Sequence, residues 1–365
     1  MKRKFIISGG GTGGHIYPAI SIANALKEKY PDADILFVGA TGRMEMEKVP
    51  AAGFDIVGLP VIGLQRKLSP KLIKFAWRLI VSLIKAGKII KQFQPDAVIG
   101  VGGYVSAPVL RRASRKGIPC LIQEQNSFPG IANKMLAKSV NRICVAYPGL
   151  EKWFPEDKIV FTGNPVRQDI TAIESKSNAA LNHFELDKSK PVVVALGGSL
   201  GARTINQALT KDFALLEKEG IQLVWQSGKR GYQDAKQSVP DTAKGIKVHE
   251  FVYRMDYAFS VADVVITRAG ASTISELCLV EKPAVFVPSP NVAEDHQRKN
   301  AMALVEKSAA SMVEDHQAIE KLVPTAISLI NDTEKQGLYR KNIQQFARPD
   351  AASHITGEII KLIET

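Results

Sequence analysis

One stretch at the start of the chain limits most severely what it can fold into. Lys4-Phe5-Ile6-Ile7-Ser8 is a short apolar run, and Gly9-Gly10-Gly11-Thr12-Gly13-Gly14 then packs five glycines into six residues ahead of His15. A helix-like apolar pattern follows through Ile16, Ile20, Ile22, Ala23 and Leu26. The sequence predicts a buried strand, a glycine loop and a helix. Glycines allow positive φ and a close approach of ligand to backbone N–H groups. The unpaired amides and the positive dipole end of the helix make this an anion site. His15 stands at its mouth as the nearby group able to move a proton near neutral pH. The same pattern also suits a tight strand–helix turn with no ligand, and His15 a structural histidine.

Gly9-x-Gly11-x-x-Gly14 satisfies the dinucleotide fingerprint, which alone is weak. A nicotinamide site wants an acid about 20 residues on, at the end of the second strand. The expected second strand, Ile35–Val38, is followed by Gly39-Ala40-Thr41, and Asp32 and Asp34 precede it. The ribose-binding acid is missing. A Walker loop fails as well, since His15 occupies the position that requires Lys.

Further strands are expected at Ala97–Val101, Cys120–Gln123 and Ile143–Val145. After Pro191 the pattern restarts with Val192–Leu196, then Gln222–Trp225, Lys247–His249, Val264–Thr267 and Ala284–Val287. Strands alternating with helical segments predict parallel sheets of βαβ units. Leu196-Gly197-Gly198-Ser199-Leu200-Gly201-Ala202 repeats the opening theme. A third glycine turn, Val101-Gly102-Gly103-Tyr104-Val105-Ser106, also follows a strand, at the end of a parallel sheet where ligands bind. The length of 365 residues is enough for two cores. The economical architecture is α/β: two Rossmann-like domains facing each other across a cleft, with a boundary near Gly163-Asn164-Pro165. Cys120, Cys144 and Cys278 lie far apart in apolar surroundings without metal-ligand spacing, as reduced core thiols of a cytoplasmic protein do. No signal peptide or bilayer-spanning run is evident.

The net charge of +12 is unevenly placed. Up to Asn164 there are 24 Lys plus Arg against 11 Asp plus Glu, and from Pro165 onward 24 against 25. A polyanionic partner for the first half follows, either nucleic acid or an anionic membrane. Residues 56–95 contain no acid at all. Within them Ser69-Pro70 opens a long helix. Lys71, Lys74, Arg78, Lys85 and Lys88 form a basic stripe on it, among Phe75, Trp77, Leu79 and other apolar groups. Such a helix suits seating on anionic lipid. A core helix with a solvated basic edge is the alternative, and no RNA-recognition signature is present. The segment Ala351–Ile363 is helical in pattern and suited to pack back across the domain junction.

The second half carries Thr267-Arg268-Ala269-Gly270-Ala271-Ser272-Thr273-Ile274-Ser275-Glu276, a strand end, a small-residue turn and a hydroxyl-rich helix start. Ser272, Thr273 and free amides suit phosphate, and Glu276 suits a ribose diol; an ordinary capped helix fits the same residues. Ala293–Asn300 is a dense polar run whose donors and acceptors suit sugar hydroxyls.

Taken together, Gly-Gly-Thr-Gly-Gly-His at 10–15, Gly-Gly-Tyr-Val-Ser at 102–106, Glu124-Gln125-Asn126, Gly163–Arg167, Gly-Gly-Ser-Leu-Gly-Ala at 197–202, Arg268–Glu276 and Asp295-His296-Gln297 resemble the MurG family of bacterial N-acetylglucosaminyltransferases across essentially the whole chain. The resemblance implies a GT-B fold and an inverting, peripheral enzyme at the cytoplasmic face of the bacterial inner membrane. That enzyme moves GlcNAc from UDP-GlcNAc to the MurNAc C4 hydroxyl of undecaprenyl-pyrophosphoryl-MurNAc-pentapeptide, turning lipid I into lipid II. It implies an acceptor and membrane-facing domain at 1–164, joined by a C-terminal helix 341–365, and a UDP-GlcNAc domain at 165–340. By motif position the donor contacts are Thr12, Gly13, Gly14, Asn126, Arg167, Ser199, Val252, Ala271, Ser272, Thr273, Glu276 and Gln297. Gly10, Gly11, Gly102, Gly103 and Tyr104 face the acceptor pyrophosphate. Lys71, Lys74, Phe75, Trp77, Arg78 and Leu79 face the membrane. No cofactor or obligatory metal is implied, no nucleic acid is a partner, and cell-wall synthesis or division proteins are the expected protein partners. His15 is the expected base for the acceptor hydroxyl, with Glu124 in reserve. A diacylglycerol glycosyltransferase, a sugar-nucleotide epimerase and a nonenzymatic membrane adaptor remain as rival readings.

Overall fold

Apolar runs such as Phe5-Ile6-Ile7 carry no polar face, so they demand cover on both sides, the condition of a parallel sheet between helices. The structure, a computed structural model, describes residues 2–61, 71–166, 170, 173–198 and 200–364. The chain forms two compact units, Met1–Val166 with Arg348–Thr365, and Arg167–Ala347.

In the first unit the strands are Lys4–Ser8 (β1), Asp34–Ala40 (β2), Asp55–Leu59 (β3), Ala97–Gly100 (β4), Cys120–Glu124 (β5), Arg142–Val145 (β6) and Ile159–Phe161 (β7). They form one sheet in the order β3-β2-β1-β4-β5-β6-β7. All pairings are parallel, with Phe5 in register with Ile35 on one side and Ala97 on the other. The helices between them are Gly13–Lys29 (α1), Glu45–Ala51 (α2), Lys71–Phe93 (α3), Ser106–Ser114 (α4) and Ile131–Leu136 (α5). Strand alternation sorts the core into two layers. Phe5 and Ile7 join Ile16, Ile22, Leu26 and Phe37 on one face, while Ile6 joins Val98, Leu110, Ile122 and Ile90 on the other.

The second unit runs Asn178–Phe184 (α6), Val192–Leu196 (β8), Arg203–Lys218 (α7), Gln222–Gln226 (β9), Tyr232–Ser238 (α8), Ile246–His249 (β10), Met255–Val261 (α9) and Val264–Thr267 (β11). It continues with Ala271–Leu279 (α10), Ala284–Phe286 (β12), His296–Val305 (α11), Ser311–Met312 (β13), Ala318–Asn331 (α12) and Thr333–Gln344 (α13). Its sheet order is β10-β9-β8-β11-β12-β13, again parallel. Trp225, Ile266, Leu209, Leu322 and Val323 lie in its core. The echo between residues 9 and 197 is therefore one of topology as well as of glycines.

The last helix, Ala351–Glu364 (α14), belongs to the first unit. Ile355 and Ile359, one turn apart, are fully buried in the layer that holds Phe5 and Ile16, each contributing roughly 1.5–3 kcal/mol by burial. The segment joins that unit from Arg348. The expected span of 341–365 shortens accordingly, because α13 runs to Gln344 as a separate helix of the second unit. Three strands absent from the sequence expectation, β3, β7 and β13, are all at sheet edges. They are short and partly exposed, so their apolar signal is weak. The three cysteines are buried and free. Burial pushes the Cys120 and Cys144 thiols up to about 12, which keeps them inert.

His249, at the end of β10, packs edge-on against Phe184, and its Nε2 is buried with no hydrogen-bond partner among the described residues. Burial, with the neighbouring His183 next in weight, holds its pKa below the usual 6.5. The unfolded chain then binds the extra proton first, so this contribution to stability is complete above the unfolded pKa and is lost as pH falls. The melting temperature should decline from pH 7 to pH 5, and His249→Gln should flatten that slope; an unchanged slope would remove His249 as a cause.

Candidate functional site

Each sheet reverses its strand order once, between β1 and β4 in the first unit and between β8 and β11 in the second. Loops leaving the carboxyl ends of such adjacent strands part there and leave a crevice. The glycine loops singled out in the sequence are at these two places.

In the first unit the loops after β1 and β4 touch backbone to backbone. A Cβ at Gly103 would lie 2.4 Å from the Gly10 carbonyl oxygen, and one at Gly102 would lie 2.8 Å from His15 Nδ1. Both glycines have positive φ, +81° at Gly103 and +94° at Gly102. Glycine is required twice over, by conformation and by space. Thr12 caps α1 in extended conformation without a side-chain cap bond. His15 N–H and Ile16 N–H both donate to Thr12 O. The Gly13 and Gly14 amides have no backbone acceptor among the described residues. Tyr104 is about half exposed, at 49%.

Glu45 lies against the glycines expected to face the acceptor pyrophosphate. Its fully buried carboxylate accepts N–H bonds from Gly11 (3.0 Å) and Ala40 (2.9 Å). A Cβ at Gly10 would meet Glu45 Oε1. The Gly11 amide, one of the groups expected to face pyrophosphate, is thus taken by the protein's own carboxylate. Sequence reasoning missed Glu45, since it lies 34 residues from Gly11 and only the β1–β2 pairing brings the two loops to one edge.

Glu124, the expected reserve base, is buried with both carboxylate oxygens hydrogen-bonded. Its Oε1 accepts from Asn126 N–H (3.0 Å) and Asn126 Nδ2 (3.1 Å), and its Oε2 from Gly130 N–H (3.0 Å) and Asn133 Nδ2 (2.8 Å). Four donors commit this buried carboxylate to shaping the loop that presents Asn126. On the opposite face of the same strand end are Gln123 and Gln125. His15 Nδ1 lies 3.2 Å from Gln125 Oε1. Gln125 Nε2 donates to Val101 O (2.8 Å) and to Gln123 Oε1, and Gln123 Nε2 donates to Asn164 Oδ1 (2.8 Å). Polar residues two apart at the end of an apolar strand were the signal for this network.

In the second unit Gly201 lies against the turn after β9. A Cβ at Gly228 (φ +77°) would lie 2.0 Å from Gly201 N, and one at Gly201 (φ +87°) 2.3 Å from Ser227 O. Asn206 of α7 ties the turn down, donating to Ser227 O (2.8 Å) and accepting from Trp225 Nε1 (3.0 Å). Val252 N–H donates to Gln226 Oε1 (2.9 Å), which sets the backbone after β10. Gly270 leads into α10 without a side-chain cap. Ala271 and Glu276 are buried, Ser272 and Thr273 half-buried, and Ser272 Oγ has no hydrogen-bond partner among the described residues. Arg268 is committed to structure, donating to Val287 O (3.0 Å) and Asp315 Oδ1 (2.5 Å), while Thr204 donates to Asp315 Oδ2 (3.0 Å). Gln297 Oε1 accepts from Ser289 N–H (2.8 Å). Glu294 and Asp295 just before it both have positive φ, an uncommon pair of strained residues. Arg167 and Ser199 lie outside the described residues.

On α3, Trp77, Ile80 and Ile84 are at least half exposed at spacings of three and four, and Leu79 is also exposed, while Ser82, Ala86, Ile89 and Ile90 face inward. Arg78 is half-buried. The side chains of Lys71, Lys74 and Phe75 lie outside the description. Both faces of the helix are accordingly apolar, and only one is covered by the unit's own core.

Residues 5–145 match the glycosyltransferase family 28 N-terminal domain, and residues 192–355 its C-terminal domain. A Parabacteroides distasonis protein is 53% identical over 365 residues, covering 100% of this chain and 99% of its own length. A Porphyromonas gingivalis protein is 51% identical over 366 residues, covering 100% and 96%. Both are named UDP-N-acetylglucosamine–N-acetylmuramyl-(pentapeptide) pyrophosphoryl-undecaprenol N-acetylglucosamine transferase. The crystal structure of Acinetobacter baumannii MurG superposes with a TM-score of 0.79 at 26% identity, covering 99% of this chain and 100% of that one. A UDP-N-acetylglucosamine 2-epimerase superposes with a TM-score of 0.66 at 13% identity, covering 99% and 96%, a likeness of fold alone.

Gly228→Ala and Gly220→Ala both force alanine into positive φ, but nothing lies within 4 Å of a Cβ at Gly220. The shared strain is about 1–3 kcal/mol. Gly228→Ala should melt several degrees lower than Gly220→Ala, at roughly 2–4 °C per kcal/mol. Equal melting would show that the two loops are not in contact.

Proposed function

The chain belongs to glycosyltransferase family 28, and on that premise we propose that it moves N-acetylglucosamine, with inversion, from UDP-GlcNAc to the MurNAc C4 hydroxyl of undecaprenyl-pyrophosphoryl-MurNAc-pentapeptide. The reaction turns lipid I into lipid II in peptidoglycan synthesis. The observation that carries this reading is that relatives named for this one transfer share about half of all residues over the full length.

Inversion is a single in-line displacement at the anomeric carbon with UDP as leaving group. Rate comes from holding donor and acceptor in line and from stabilising charge that grows on the leaving phosphate. The second unit supplies the donor side. The positive ends of α7 and α10, Ser199, Thr273 and the buried Ser272 hydroxyl face the pyrophosphate, with Arg167 beside them. Glu276 takes the ribose diol, and Val252, Ala271 and Gln297 complete the UDP-GlcNAc contacts. In the first unit His15 accepts the proton of the acceptor hydroxyl as the new bond forms. Thr12, Gly13, Gly14 and Asn126 border the transferred sugar. With Glu45 holding Gly11, the acceptor pyrophosphate meets Gly102, Gly103, Tyr104 and the amino end of α1. The reaction needs no obligatory metal.

The acceptor is lipid-linked, and among the described residues no helix is long and apolar enough to cross a membrane. The basic first half and the outward Trp77, Ile80 and Ile84 support peripheral seating on the cytoplasmic face of the inner membrane.

Purified protein mixed with labelled UDP-GlcNAc and a lipid I analogue should transfer label to the lipid; an epimerised sugar, or UDP release without transfer, would replace this reading. His15→Ala should lower kcat by about 10²–10⁴-fold with UDP-GlcNAc affinity by calorimetry almost unchanged, and wild-type turnover would remove its role. Charge reversal of Lys71, Lys74 and Arg78 to Glu should release the protein from anionic vesicles, at about 1 kcal/mol per charge. Retention with the same salt sensitivity would count against the membrane helix.

A further inference from the structure

A neutral histidine is a base on one nitrogen only, and which one is set by what the other nitrogen faces. His15 Nδ1 faces the side-chain amide of Gln125 at 3.2 Å. An amide can present either oxygen or nitrogen, so the assignment rests on the surrounding bonds. Here those bonds leave no choice. Gln125 Nε2 lies 2.8 Å from Val101 O, a backbone carbonyl that can only accept. At the far end of the chain of amides, Asn164 Nδ2 lies 3.0 Å from Gln125 O, also a backbone acceptor. Asn164 Oδ1 must therefore accept from Gln123 Nε2 (2.8 Å), and Gln123 Oε1 must accept from Gln125 Nε2. Flipping any one amide would set donor against donor or oxygen against oxygen. Gln123, Gln125 and Asn164 are at most 3% exposed, so water offers no relief from such a mismatch.

We propose that Gln125 is a positioning residue: its amide oxygen, oriented by Val101, Gln123 and Asn164, takes the Nδ1–H of His15 and so keeps the lone pair of the neutral imidazole on Nε2. Gly102 supports the same arrangement, because a side chain there would displace the ring at Cε1 and Nδ1. The catalytic consequence rests on His15 acting as the base, whereas the tautomer does not. Gln125 acts through His15, by taking the proton-bearing Nδ1 of the imidazole.

The test is ¹⁵N NMR of histidine-labelled full-length protein at about pH 8.5, where an ordinary imidazole of pKa about 6.5 is neutral. His15→Gln identifies the His15 signals. The wild type should show a protonated Nδ1 and a lone-pair Nε2, and a predominant Nε2–H form would overturn the proposal without any variant. Gln125→Leu, checked for folding by its melting curve, should lose that preference and lower kcat about 10- to 100-fold, with the KM for UDP-GlcNAc within about twofold of wild type. An unchanged tautomer in Gln125→Leu would also overturn the assignment. A switched tautomer with wild-type kcat would overturn the catalytic consequence, and His15→Ala then separates the causes: if that variant too is fully active, the failure belongs to the base reading rather than to the tautomer.

Discussion

Close approach of backbone to backbone at the carboxyl ends of the central strands is the constraint on which the rest depends. Gly103 lies over the Gly10 carbonyl in one unit, and Gly228 lies over the Gly201 amide in the other. Neither approach tolerates a Cβ, and both bring amide-bearing loops to the point where a parallel sheet parts its connections. The helices that follow, α1 and α7, begin at these loops without side-chain caps. Their first N–H groups are thereby left for a ligand rather than spent on the protein.

Buried polar groups then decide which amides remain available. Glu45 occupies Gly11, and Glu124 gathers four donors around the Asn126 loop. Carboxylates beside an anion site repel phosphate, but a carboxylate whose oxygens are all engaged holds a loop at defined geometry. The amide chain from Gln125 to Asn164 does the same for His15 with neutral groups, adding no charge next to the imidazole. Carboxylates shape the loops, and amides orient His15.

Away from the loops, α3 carries apolar side chains on both its inner and its outer face. Ala86, Ile89 and Ile90 fill the core while Trp77, Ile80 and Ile84 point outward. An amphipathic helix that needed only a core would place charge on that outer face. The absence of acids over residues 56–95 lets an apolar outer face coexist with basic neighbours, the combination that suits an anionic, lipid-bearing acceptor.

Periodicity and glycine placement in the amino-acid sequence were enough to determine two parallel α/β units, their central strands and the loops at the strand ends, with His15 beside the first of them. These follow from local rules: apolar runs, turn chemistry and repeated spacing. The edge strands β3, β7 and β13 escaped because a short, half-exposed strand carries little apolar signal. Tertiary structure alone decided what the loops contain. Glu45 reaches Gly11 only because β2 pairs with β1, and Gln125 reaches His15 only because β5 lies beyond β4. Such partners, up to 110 residues apart, are joined by sheet order and register, which no local pattern specifies.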